Sequence, residues 1–143
     1  MNMHRIWGGS LVLVLVLAGP VGCWTHTNKV KQWIETAPQS PEQDFSGRWQ
    51  VDTETLGWTP GNNRMFLQQD RGRLSGSFEG YDLLGVVEGN KVILFGLRED
   101  VVYFTWQMTY GPDSQTLTGR QCESFVPNEP PAYCTAMSSH KIQ

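Results

Sequence analysis

The sequence predicts an all-β protein, an eight-stranded antiparallel up-and-down barrel, from three observations. Apolar and polar residues alternate with a period of two after residue 44, as half-buried antiparallel strands require. Turn-forming residues recur at short, regular intervals, which is typical of a barrel or a sandwich. No stretch after residue 44 has the pattern of a substantial helix. The length of 143 residues favours a single domain.

The alternation is clearest in the first strand, where one face carries Phe45, Gly47, Trp49 and Val51. The pattern predicts strands near 46–54, 64–70, 73–79, 83–88, 91–97, 101–110, 115–122 and 133–138. Because the connections are short, each strand is expected to pair with the one before it. Closure into a barrel would then remove the exposed edges. A sandwich built from the same strands is the alternative.

Residues 1–22 have the pattern of a secretory signal peptide. Arg5 precedes an apolar run centred on residues 11–18, which is too short to cross about 30 Å of hydrocarbon as a helix. Cys23 follows directly, and Pro20-Val21-Gly22-Cys23 resembles the lipobox of bacterial lipoproteins. The resemblance implies cleavage before Cys23 and attachment of lipid to it. The alternative is an ordinary secreted protein that is cut nearby.

The lipoprotein resemblance also implies a location. An Asp after the lipidated cysteine tends to retain such proteins at the inner membrane, and this chain has Trp24 there. We therefore expect a lipid-anchored protein of the cell envelope, at the outer membrane and facing the periplasm. Residues 23–44 are interpreted as a lipidated tether, with a short helix within 28–36 and helix-breaking Pro38 and Pro41. The barrel domain is predicted over 45–143.

The cysteines fit an oxidising compartment. Once Cys23 carries lipid, Cys122 and Cys134 remain as an even pair, so we expect a disulfide between them. Two cysteines do not make a structural zinc site, and His26 and His140 lie near opposite ends of the mature chain. No metal or cofactor is therefore predicted. The net charge of −3 gives no indication of a nucleic-acid partner.

The residues Gly47-Arg48-Trp49 resemble the Gly-x-Trp signature of the lipocalin and avidin superfamily, the calycins. Residues 65–80 look like the second and third strands of avidin-type barrels. The resemblance implies that Trp49 closes one end of the barrel, under an arginine from a late strand, for which Arg120 is the candidate. Biotin is not expected, because avidins have hydrogen-bonding residues where this chain has Val51 and Thr55.

No catalytic motif stands out, so the protein is not expected to be an enzyme: no nucleophile elbow, phosphate loop or dinucleotide fingerprint is present. Aromatic residues of a barrel mouth are the default ligand site. The candidates are Trp58, in the long first loop, with Tyr103 and Trp106. The predicted function is the binding of a small apolar or amphiphilic ligand. The alternative is a structural or accessory lipoprotein with a packed barrel that contacts another envelope protein.

Overall fold

The computed structural model describes residues 26–36, 43–52, 62–124 and 132–142. These segments contain one helix and eight strands: α1 His26–Thr36, β1 Gly47–Val51, β2 Arg64–Asp70, β3 Arg73–Phe78, β4 Tyr81–Glu88, β5 Lys91–Arg98, β6 Val101–Gly111, β7 Thr116–Ser124 and β8 Ala132–Ile142. Each strand lies close to its predicted position. The last strand extends further than predicted because its final residues pair with β1, with Arg48 opposite Ile142. The predicted signal peptide and Cys23 lie outside the described residues.

The eight strands form one closed antiparallel barrel in chain order. Each strand pairs with its neighbours in sequence, and β1 also pairs with β8, where Val51 lies opposite Ser139. This last pairing closes the sheet, so each of the eight strands has a partner on both sides. The prediction of an eight-stranded up-and-down barrel is confirmed, and the alternative of a sandwich is wrong.

Two glycines let the backbones of adjacent strands approach closely enough for the sheet to close. A Cβ on Gly76 would lie 1.9 Å from the carbonyl oxygen of Phe66, and a Cβ on Gly119 would lie 1.9 Å from that of Gln107. No side chain fits in either place. Because closing a small barrel requires strongly bent strands, glycine at such positions favours closure.

Large apolar side chains fill the part of the barrel interior that the structure describes. Those with no more than 1% of their surface exposed include Phe45, Trp49, Val51, Met65, Phe78, Leu83, Leu94, Trp106 and Leu117. The cluster begins beside the start of β1 and continues to Phe78 and Phe104 at the opposite end of the barrel. The described interior is thus a packed hydrophobic core.

Helix α1 lies on the outer wall of the barrel. Its Val30 and Ile34 pack against Val86, Phe95 and Leu97, which point outward from β4 and β5. The ring of Trp33 meets Phe95 edge-on, with the centroids 5.8 Å apart. The short helix that was expected within residues 28–36 is present as α1, and it is packed on the barrel. The outer face of β4 and β5 is apolar and needs such a cover.

Candidate functional site

The two ends of the barrel are built differently. At the closed end, where β1 begins, the strands are joined by the short turns at 71–72, 89–90 and 112–115. At the opposite end, which we call the mouth, short turns at 79–80 and 99–100 join two pairs of strands. β1 and β7 also end at the mouth, and β2 and β8 begin there. Trp58, between β1 and β2, lies outside the described residues.

Trp49 plugs the closed end. Only 1% of its surface is exposed, and its indole N–H donates a hydrogen bond of 3.0 Å to the carbonyl oxygen of Phe45. The ring of Tyr110 lies edge-on to Phe45, with the centroids 5.3 Å apart, and edge-on to Trp49 at 6.4 Å. Three rings and one buried hydrogen bond therefore hold the start of β1 across this end of the barrel.

The cation beside Trp49 is Lys141, which corrects the assignment of that role to Arg120. The Lys141 ammonium lies 5.8 Å from the centroid of the Trp49 ring, within the range of a cation–π contact. The side chain of Arg120 is exposed on the outer wall, where its guanidinium donates a hydrogen bond of 2.8 Å to Gln107. Gly47 supports the Lys141 contact, because a Cβ there would lie 3.2 Å from Lys141 Cε.

Gln69 is a residue of the closed end that the sequence reasoning missed. Its side-chain oxygen accepts a hydrogen bond of 2.8 Å from the backbone N–H of Phe45. Its side-chain nitrogen donates to the carbonyl oxygens of Gln43, at 2.9 Å, and Arg71, at 2.8 Å. One amide thus ties the chain before β1 to the turn after β2. A glutamine in an alternating strand gives no signal of this in the sequence.

The predicted disulfide between Cys122 and Cys134 is confirmed. The two residues lie opposite each other on β7 and β8, with their Cα atoms 4.1 Å apart. Cys122 is completely buried. The bond fastens the last two strands near the mouth, at the point where segment 125–131 connects them.

Aromatic rings line a path from the rim of the mouth to its base. Tyr103, on the rim, is 49% exposed, and its centroid lies 5.6 Å from that of Tyr81. Tyr81 meets Phe104 at 5.1 Å, and Phe104 stacks on Trp106 at 4.9 Å. The guanidinium of Arg98 lies 4.2 Å from the centroid of Tyr81. The rim therefore combines exposed aromatic surface with a positive charge.

Trp106 forms the base of this path and is completely buried. Its indole N–H donates a hydrogen bond of 2.7 Å to the side-chain oxygen of Gln121, which is itself buried. The structure thus joins the candidates Tyr103 and Trp106 in one aromatic cluster, but only Tyr103 is open to solvent. Tyr81, Arg98 and Gln121 belong to the same cluster, and sequence reasoning did not single them out.

Three grooves formed by described residues lie on the outer wall. The largest, about 600 Å³, lies beside the end of α1 and includes Ile34, Gln69, Arg73 and Leu84. The other two, about 450 Å³ and 330 Å³, follow the outer faces of β5–β7 and β3–β5. All three are open to solvent, so none of them is an enclosed ligand cavity.

The described residues bury only four polar side chains, those of Thr27, Thr105, Gln121 and Ser139. The Ser139 hydroxyl is buried without a hydrogen-bond partner, but His140, the next residue along β8, is exposed on the opposite face of the strand. No three His, Cys, Asp or Glu side chains within the described segments are placed to hold a metal ion. The part of the chain that the structure describes also has no helix long and apolar enough to cross a membrane.

Comparisons with protein-family models, with curated proteins and with solved structures give no match. The lipoprotein and calycin resemblances therefore stay predictions.

Proposed function

We propose that this chain is a lipid-anchored protein of the bacterial cell envelope whose barrel is a solid support that acts through contacts with another envelope component. The observation that carries the proposal is the packed interior, where Trp49 and Trp106 are 1% and 0% exposed. A calycin that holds its ligand inside the barrel needs a cavity of several hundred Å³. Trp49, Phe78 and Trp106 take up the space that such a cavity would occupy.

The proposed anchor is a lipid on Cys23. The cysteine directly after a signal-peptide apolar run supports it, and so does the disulfide between Cys122 and Cys134, which fits an oxidising compartment such as the periplasm. The proposed activity is not enzymatic, and the buried polar side chains of the described residues, those of Thr27, Thr105, Gln121 and Ser139, include no acid or base. The packed calycin-like barrel then presents its outer wall and its mouth as the working surfaces.

A second candidate function is the binding of a small apolar or amphiphilic molecule at the mouth. The half-exposed ring of Tyr103 favours it, because this ring joins the Tyr81 ring beneath the Arg98 guanidinium. An aromatic surface with one cation suits a ligand that has an apolar part and an anionic group. Such a ligand would lie on the rim and not deep in the barrel.

Dye binding and acyl labelling test the proposal together. The full chain, purified from membranes in mild detergent, should carry an acyl mass that the Cys23→Ser variant lacks. The wild type should show no saturable binding of an apolar fluorescent dye such as N-phenylnaphthylamine. Saturable one-to-one binding that Tyr103→Ser weakens, and the matched wall variant Phe66→Ser does not, would favour the second function. Phe66 is a close match for Tyr103, because 45% of its surface is exposed against 49% for Tyr103.

A further inference from the structure

The direction of helix α1 places its first residue at the mouth. Lys31, in the middle of the helix, pairs with Asp100 in the turn between β5 and β6, which belongs to the mouth. The carbonyl oxygen of Glu35, near the end of the helix, accepts a hydrogen bond of 3.4 Å from Arg73, at the closed-end start of β3. The helix therefore runs from the mouth towards the closed end.

The first turns of the helix are held against the protein. Thr27 is 4% exposed and Val30 is completely buried. Cys23 precedes the first helical residue, His26, by three residues, and three extended residues span at most about 11 Å. An acyl group on Cys23 consequently brings the mouth end of the barrel close to the bilayer surface. The closed end, at the other end of the helix, faces away.

Exposed apolar side chains are concentrated at the same end. Val101, Tyr103 and Tyr133, all beside the mouth, are 52%, 49% and 81% exposed. The ring of Tyr103 also contacts that of Tyr81. Tyrosine is enriched at membrane–water interfaces because its ring is apolar while its hydroxyl stays hydrated. The rim thus has the surface that an interfacial contact requires.

The charges at the mouth are mixed. The turns there carry Glu79, Glu99 and Asp100, of which Asp100 pairs with Lys31, and the Arg98 guanidinium lies near them over the Tyr81 ring. Charge therefore gives the rim no strong preference for anionic lipid headgroups. The contact comes from the anchor and the aromatic rim.

We propose that the mouth of the barrel faces and contacts the membrane that holds the anchor, through Val101, Tyr103 and Tyr133. The inference rests on the proposed lipid attachment to Cys23. It makes the rim an interfacial surface and leaves the closed end and the polar outer wall available to other envelope components.

Fluorophore accessibility tests this orientation in the acylated full chain. Single added cysteines, with the native disulfide intact, carry the NBD fluorophore at Val101→Cys on the rim, Phe66→Cys on the wall or Asp113→Cys at the closed end. Each protein is placed in phosphatidylethanolamine–phosphatidylcholine vesicles after its acyl mass has been confirmed. Dithionite reduction is then compared with the rate in detergent. We expect reduction to slow several-fold at position 101 and to stay unchanged at position 113.

The possible outcomes distinguish the orientation of the mouth from the lipid anchor on which that orientation rests. An acylated protein whose positions 101 and 113 react equally fast in vesicles, or whose position 113 is the protected one, would overturn the orientation and leave the anchor standing. A chain without an acyl group would overturn both. As a further measurement, adding phosphatidylglycerol should leave the protection at position 101 nearly unchanged. Protection that requires this anionic lipid would contradict a contact made by the aromatic rim.

Discussion

The closed end and the mouth each contain a buried tryptophan, but the indole N–H groups have different partners. Trp49 donates to the backbone carbonyl of Phe45, just before β1, whereas Trp106 donates to the side chain of Gln121. Gln69 adds further bonds to backbone at the closed end only. The comparison teaches that the closed end is a structural cap. The buried indole N–H at the mouth depends instead on one side chain, that of Gln121.

The largest expected effect is at the closed end. Trp49→Ala removes a completely packed indole, which typically costs about 3–5 kcal/mol of unfolding free energy. A single domain is stable by only about 5–15 kcal/mol, so the variant should be marginally stable or unfolded. Urea denaturation followed by circular dichroism measures the loss. The matched mouth variant Tyr103→Ser, on a half-exposed ring, should change the free energy of unfolding by much less.

The opposite result would break the comparison. If Trp49→Ala were tolerated while Tyr103→Ser unfolded the protein, the roles of the two ends would be reversed. Trp49→Phe sharpens the test, because it keeps a ring and loses only the indole N–H and part of the packing. We expect its cost to lie clearly below that of Trp49→Ala.

The next effect concerns the disulfide that fastens the mouth side of β7 and β8. A cross-link closing a loop with a sequence separation of 12 stabilises the folded state by about 3 kcal/mol through loss of chain entropy in the unfolded state. The double variant Cys122→Ala with Cys134→Ala should therefore lower the Tm by roughly 10–20 °C in calorimetry. Reducing agent should lower the Tm of the wild type alone. If it lowers the Tm of the double variant as well, the effect does not come from this bond.

A smaller effect is expected at the base of the mouth. Gln121→Leu leaves the Trp106 indole N–H buried without a partner, which costs about 1–3 kcal/mol. Adding Trp106→Phe removes the unsatisfied donor, so the double variant should lose less stability than the sum of the two single losses. Chemical denaturation of all four proteins gives the coupling. Strict additivity would show that the 2.7 Å hydrogen bond contributes nothing.

Much of this architecture follows from local pattern. Alternating strands joined by short turns leave one simple pairing order, so the barrel and its strands were predictable from sequence. The disulfide was predictable because Cys122 and Cys134 form an even pair and the predicted compartment is oxidising. The alternation of β7 already argues against the role given to Arg120. Leu117 and Gln121 point into the barrel, so Arg120, directly before Gln121, points outward. The alternation along a strand is therefore a better guide than a family resemblance to which side chains enter the barrel.

The docking of α1 was harder to predict. Its own pattern is short and largely polar, and only Val30, Trp33 and Ile34 mark an apolar face. The stronger signal lies elsewhere in the chain, in the nearly continuous apolar residues of β4 and β5, which indicate strands buried on both faces. Tyr103 was a candidate from the sequence, but its ring contact with Tyr81 was not predictable. The β5–β6 register shifts between Gly96 and Leu97, opposite Tyr103, so the alternation of inward and outward side chains is interrupted there.

The smallest expected effect is a pH dependence at the closed end. A hydrogen bond from the backbone N–H of Ser46, followed by one from its hydroxyl, holds the pKa of Asp44 below its usual value, and Lys141 acts in the same direction. A carboxyl with a lowered folded pKa stabilises the protein above its unfolded pKa, which is about 3.9 for Asp. This contribution is lost as the pH falls through the lower folded value.

Asp44→Asn keeps an oxygen that accepts the 2.8 Å hydrogen bond from Ser46 and removes the charge. Near neutral pH the variant should be slightly less stable than the wild type, since Asp44 is largely exposed and solvent screens its charge. The difference should shrink towards zero at pH values below the folded pKa of Asp44. Tm values measured from pH 7 down to acid check this. A difference that grows on acidification would mean that Asp44 is better stabilised in its protonated form, against the direction of its hydrogen bonds.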